Sequence, residues 1–166
     1  MTGFETRRAV ELAAQEEERR WLVEHLWSAE AVGVIGGEPK CCKSFLALDI
    51  AVAVASGTAC LRRFAVTAPG SVLLFAAEDA LHIVRERLEG ITTVANVDFA
   101  SLDVHVITAP TVRLDLESHR RQLRATVARV RPKLVVLDPF VRLHRCDENV
   151  ASEVAPLLAF LRELQR

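Results

Sequence analysis

The sequence predicts an α/β fold: a three-layer sandwich in which helices cover both faces of a mostly parallel sheet. Three observations carry that expectation. Residues 71–77 and 134–137 are continuous apolar runs bounded by turn residues and charge, as in strands covered on both faces. Segments with helical spacing of apolar residues separate the runs. A glycine-bearing loop joins a short apolar run at 32–35 to an apolar helix-like segment that opens at Lys43-Ser44. Strands alternating with helices in this order are joined by right-handed crossovers.

Taken in order, residues 4–20 read as an exposed helix with Glu and Arg at three- and four-residue spacing. Its face is weakly apolar (Phe4, Val10, Leu12), so residues 1–20 form a charged N-terminal unit, mobile or docked on a partner, and 21–166 form the domain. Trp21 and Trp27 bracket a short strand or turn and lie as lids on the core. Stacking of one of them on a base is the alternative. Residues 45–56 are apolar nearly all round, as in a helix buried beside a sheet, and Gly57 stops it.

Pro69-Gly70 turn the chain into the strand at 71–77, and Glu78-Asp79 follow at once. Leu81, Val84 and Leu88 mark a helix ending at Gly90, and residues 104–107 a further strand. The helix at 114–130 turns Leu116, Leu123, Val127 and Val130 to one side. Its arginines 120, 121, 124 and 129 then form a solvated basic face more readily than a nucleic-acid surface. Leu134-Val-Val-Leu-Asp138 is the fourth strand, stopped by Pro139, and a last amphipathic helix runs from Val150, with Pro156 starting or kinking it.

Length and composition bound the function. The 166 residues make at most one ordinary domain, and 51% hydrophobic with 26% charged residues is a globular composition. A net charge of -1 gives no global signature of nucleic-acid binding. No secretory leader is readable, and no apolar run approaches the roughly 20 residues of a membrane span. The four cysteines show neither metal-ligand nor disulfide spacing, so a reduced, cytoplasmic chain without a membrane role is expected.

The chemistry gathers at strand ends, where open α/β sheets place their ligands. Gly37, Glu38, Pro39, Lys40, Cys41, Cys42, Lys43, Ser44 and Phe45 fit a phosphate-binding loop between strand and helix, with Cys42 where the pattern carries its second glycine. Inward N–H groups and a helix N-terminus make an anion site there. Lys43 would neutralise outer phosphates, and the Ser44 hydroxyl would bind Mg²⁺. Asp138, after four apolar residues, suits an acid holding Mg²⁺ through its water shell. Glu78 suits a group that orients or deprotonates an attacking water. Bland readings stand beside these: a turn with a lysine, a loop carboxylate at Glu78, a helix cap at Asp79. Arg142 and Arg145, just past Asp138, read equally as surface residues and as groups that approach phosphate or a neighbouring subunit.

With Gly36-Gly-Glu-Pro-Lys-Cys-Cys-Lys-Ser44, Val72-Leu-Leu-Phe-Ala-Ala-Glu-Asp79 and Leu134-Val-Val-Leu-Asp-Pro-Phe140 in this order, the chain resembles the RepA-like branch of RecA-type P-loop ATPases. These are AAA-family ATPases of plasmids and mobile elements, including replicative helicases. The resemblance covers roughly residues 20 to 166. It implies a RecA-like core using ATP and Mg²⁺, with Lys43 and Ser44 on phosphate and metal, Asp138 as the Walker B acid and Glu78 as catalytic glutamate. For helicase types it also implies homo-oligomeric rings around single-stranded DNA. The family carries a mid-sheet strand after the helix that follows Asp138, so a C-terminally truncated or split chain is expected, with unpaired sheet edges or an abnormal closure. The leading expectation is an ATPase of DNA replication. A P-loop kinase lacks any readable acceptor lid here. A non-catalytic nucleotide-binding or assembly module is the alternative from another class.

Overall fold

A computed structural model describes residues 5–11 and 20–165. Within 5–11 the chain makes one 3-10 turn, Ala9–Glu11. The remainder of the helix expected over 4–20 falls outside the described residues, except Arg20, which precedes the first strand. A small antiparallel hairpin follows, β1 (Trp21–Val23) with β2 (Trp27–Ser28). Trp27 packs partly buried against the core, and a Cβ on Gly33 would meet its indole at 2.7 Å. The lid expected of Trp27 is therefore there, and glycine is what lets the following segment pass beneath it.

The central sheet is parallel and three-stranded. β3 (Val72–Ala76) lies between β4 (Val104–Val106) and β5 (Leu134–Asp138), in register from Val72 opposite Leu134 to Ala76 opposite Asp138. Val72, Leu73, Leu74 and Phe75 are all buried, as a strand covered on both faces requires. One face carries α1 (Lys43–Ser56) and α2 (Leu81–Ala95), through Leu48, Val52, Leu74, Val84 and Leu88. The other carries α3 (Glu117–Val130) and α4 (Ala151–Gln165), through Leu73, Phe75, Leu123, Leu157 and Phe160. The three-layer α/β architecture expected from the sequence is present.

Three details differ from expectation, and the place of Pro156 decides between two expectations. The run at 32–35 is not a strand: residues 31–37 make no ladder, and Val34 stands 68% exposed. A strand needs a neighbour for its N–H and C=O groups, and β5 is an edge strand with β3 on one side only. α2 runs through Gly90 to Ala95, because Ile91 and Thr92 extend its packed face and Asn96 supplies the left-handed cap. Pro156 lies inside α4, which continues across it with Leu157 and Phe160 buried on its inner side. The arginines of α3 are not all solvated. Arg120 and Arg124 lie 5.2 and 4.8 Å from the Phe160 ring, and Arg124 pairs with Glu117 and Glu163, each at 3.2 Å.

Among the described residues no helix is long and apolar enough to cross a membrane.

Candidate functional site

Two connections orient α1 against the sheet. It follows the glycine loop at its N-terminus, and at its other end the Val54 carbonyl accepts from Gly70 N–H at 3.0 Å, two residues before β3 begins. α1 therefore runs antiparallel to β3 and returns its N-terminus to the carboxyl ends of β3 and β5. The Phe45 ring, next to Ser44, lies 5.2 Å from the Arg87 guanidinium, which pairs with Asp79, so the first turn of α1 and the end of β3 meet through Arg87, although residues 31–37 form no strand.

Left-handed backbone shapes the loop. Gly37 has φ 158°, and a Cβ there would lie 2.8 Å from Cys41 Sγ. Lys40 and Cys42 are left-handed, with φ 64° and 61°. Cys42 is the residue before α1 and its side chain makes no cap. Across residues 36–44 the loop's own amides make one hydrogen bond among the described residues, Cys41 N–H to Glu38 O at 3.4 Å. The amides of Lys43 and Ser44 belong to the first helical turn, where no intrahelical acceptor exists. The helix dipole adds partial positive charge at the same point.

Lys43 reaches back over this loop. Its ammonium donates to Gly37 O at 3.0 Å and Glu38 O at 2.6 Å, and lies 3.7 Å from Cys41 Sγ. The loop carbonyls thus preset the charge above the cradle. Glu38, Pro39, Lys40, Cys41 and Cys42 are exposed, Ser44 is half-buried, and Phe45 is 49% exposed.

The two strand-end acids are set by register. Ala76 pairs with Asp138, and Ala77 N–H donates to Asp138 O at 2.7 Å. Glu78 is the next residue, so the two carboxylates leave adjacent strand ends. Glu78 Oε1 accepts from Arg142 Nε at 3.3 Å, and Arg142 closes the 3-10 turn Phe140–Arg142 directly after β5. The sequence reading set Arg142 aside. Its only signal was a position four residues beyond Asp138. Asp79 pairs with Arg87 of α2, whose guanidinium also lies 5.2 Å from the Phe45 ring. Asp79 does not cap α2, whose residue before the first turn is Ala80.

Asp49 was hidden inside the apolar stretch of α1. It is buried, and its carboxylate accepts from Leu61 N–H at 2.6 Å and Arg62 at 3.3 Å. The same carboxylate and burial push the nearby Cys60 thiol up to about 12, burial being the larger cause. That charge amid apolar neighbours was the available signal.

The residues present suit Mg²⁺ held with phosphates. Among the described residues no three His, Cys, Asp or Glu side chains converge to hold a metal by themselves. A hydroxyl at Ser44 and a half-buried carboxylate at Asp138 are hard oxygen donors, few in number, which is how Mg²⁺ is held when substrate phosphates complete its shell. Residues 3–166 match the family described as AAA domain. No curated protein matches the chain.

Proposed function

The chain belongs to the AAA-domain family, a group of nucleotide-binding ATPase-type domains, and from that premise we propose that it binds Mg-ATP on residues 37–45 and hydrolyses it. One observation supports the reading: a loop whose amides, that of Cys41 apart, have no protein acceptor among the described residues, beside a lysine ammonium at the N-terminus of a helix. Those amides and Lys43 hold the phosphates. Ser44 and Asp138 hold Mg²⁺, which supplies charge neutralisation across the phosphate oxygens when bound. Glu78 orients the attacking water and takes its proton. Arg142 holds Glu78 to one side, so hydrolysis requires that contact to yield.

In this reading the ATPase serves DNA replication or a mobile element in the cytoplasm, as a homo-oligomeric ring on single-stranded DNA. The edge position of β5 and the Glu78–Arg142 pair favour a second reading, a non-catalytic nucleotide-binding or assembly module of a larger or split ATPase. Calorimetric titration of Mg-ATP into the chain and into Lys43→Ala tests the core of both. Saturable binding lost at least tenfold in Lys43→Ala is expected. Equal binding by the two proteins sinks the assignment. Phosphate release with and without single-stranded DNA then separates the readings, since stimulation supports the first and silence the second.

A further inference from the structure

The fold sorts the cations of α3 and its C-terminal turn into two sets. Arg120 and Arg124 lie against the Phe160 ring, and Arg124 also pairs with Glu117 and Glu163. Arg121, Arg129, Arg131 and Lys133 are exposed, and none of them pairs with an acid among the described residues. Residues 117–133 carry six Lys and Arg against one carboxylate, although the whole chain has a net charge of -1. The helix dipole favours cations at the C-terminal end of α3, but it gives no reason for Arg121 in the N-terminal half.

The second set forms one continuous patch. Helical periodicity turns Arg121, Ala125, Ala128 and Arg129 away from the buried Leu123, and all four are exposed. Arg121 and Arg129 stand about 12 Å apart along the axis, with the two alanines between them. Arg131 and Lys133 continue the charge past the helix end. Lys133 N–H donates to Ser71 O at 2.7 Å, and Ser71 Oγ donates to Val130 O at 3.4 Å. That end of the patch is thereby fixed at the amino ends of β3 and β5, away from Glu78 and Asp138 at their carboxyl ends.

Unpaired cations on a face without acids call for an anionic partner. A lipid surface is held by apolar side chains inserted beside the basic ones, and a protein interface by a buried apolar or aromatic centre. This face offers alanines in place of both. Nucleic acid needs neither, because Arg and Lys hold its phosphates directly and release the condensed counterions. Residues 117–133 contain no Phe, Trp or Tyr on which a base could stack. We propose that this face of α3 and the cations just after it bind the phosphate backbone of a nucleic-acid strand without reading its bases. The inference rests on the single-stranded DNA partner of the proposed function and gives that partner a place on this chain.

Fluorescence anisotropy of labelled oligo-thymidine, titrated with the full chain over a series of salt concentrations, tests the surface. Two double variants stand beside it, Arg121→Gln with Arg129→Gln and the charge-keeping Arg121→Lys with Arg129→Lys. Four phosphate contacts predict a log–log salt slope of about -3 for a single strand. The Gln pair should bind about tenfold more weakly with roughly half that slope, and the Lys pair should bind as the full chain does. Mg-ATP affinity should be the same in all three. Undiminished strand binding by the Gln pair overturns the surface and leaves the DNA partner to another part of the molecule. An equal loss in the Lys pair also overturns it, because a charge contact survives that change. Polyglutamate bound as tightly as the oligonucleotide, and lost in the same Gln pair, overturns nucleic acid as the occupant. Failure of the unmodified chain to bind any strand removes the DNA partner and the surface together, while the Mg-ATP titration still decides nucleotide binding on its own.

Discussion

Of the loops that hold non-glycine residues in left-handed backbone, residues 60–63 and 36–42 are finished in opposite ways. In residues 60–63, Leu61 and Arg62 have φ 49° and 56°. Every amide there is answered: Cys60 and Phe64 exchange hydrogen bonds at 2.9 Å, Arg62 and Arg63 donate to Ala59 and Cys60 at 3.0 Å, and Leu61 donates to Asp49. In residues 36–42, Lys40 and Cys42 are also left-handed, but the amides make one internal bond among the described residues. A local strain of this kind costs on the order of 1 to 3 kcal/mol per residue. In the first loop a buried carboxylate offsets it. In the second the Lys43 ammonium holds two carbonyls, Gly37 O and Glu38 O, but most of the amides have no protein acceptor, and an anion is the partner they would take. The comparison separates a turn built for stability from a loop built for a ligand.

The largest effect expected from breaking that contrast comes at Asp49. Asp49→Ala strips the acceptor from Leu61 N–H and Arg62 at a buried position. A loss of about 2 kcal/mol is expected, roughly 6 °C in melting temperature for a chain of this size, with tripolyphosphate affinity unchanged. Lys43→Ala should do the reverse, abolishing binding and moving the melting temperature by a degree or two at most. Calorimetric melting of both variants reads this directly. A Lys43→Ala chain that melts as early as Asp49→Ala would mean the loop is held by its own contacts and is no cradle.

Thiol chemistry distinguishes the same two loops. Cys41 and Cys42 are exposed, whereas Cys60 is buried with its thiol raised from 9.0 to about 12. The fold therefore favours the protonated thiol. Its contribution to stability is complete below pH 9.0 and is lost as pH rises towards 12. At pH 8 an aromatic disulfide reagent should label Cys41 and Cys42 quickly and Cys60 only on unfolding, with mass spectrometry locating the adducts. Melting temperature should fall between pH 9 and 11 more steeply than in Cys60→Ala. Cys60 labelled as fast as Cys41 would show that the Asp49 turn opens freely.

The sequence made the sheet and its rim legible because they depend on local pattern. Continuous apolar runs marked β3 and β5, and Lys43, Ser44, Glu78 and Asp138 stand at ends that pattern and topology alone determine. What escaped depends on long-range pairing. Residues 32–35 have the composition of a strand, but no neighbour takes up their hydrogen bonds, so they make no ladder. Gly90 is a stop by propensity, yet packing beyond it at Ile91 and Thr92 carries α2 onward. Asp49 and Arg142 act on partners 12 and 64 residues distant in the chain, Leu61 and Glu78, and no spacing rule reaches that far. Arg120 and Arg124 had a solvent-face pattern, and only the position of Phe160 on α4 shows that they cover an aromatic ring.

The smallest expected effect sharpens the contrast at its centre. Cys42 occupies a left-handed position at the mouth of α1, where its side chain neither caps the helix nor is buried. Glycine adopts that backbone without the Cβ clash, worth roughly 1–2 kcal/mol, but its greater freedom in the unfolded chain returns about 0.5–1 kcal/mol of this. Cys42→Gly should therefore raise stability by only about 0.5 kcal/mol, near the limit of a chemical-denaturation measurement. Its effect on ligand should be larger in proportion, because removing the Cβ opens the backbone to closer approach by phosphate, and Mg-ATP should bind several-fold tighter. The equivalent change in the closed turn, Leu61→Gly, releases similar strain yet has no ligand to admit, so its binding should not move. Tighter binding in Cys42→Gly alone would place the function of left-handed geometry in the open loop. Unchanged or weaker binding there would mean that the cysteine belongs to the working form of the site, and that the cradle is shaped by its thiol as well as by its backbone.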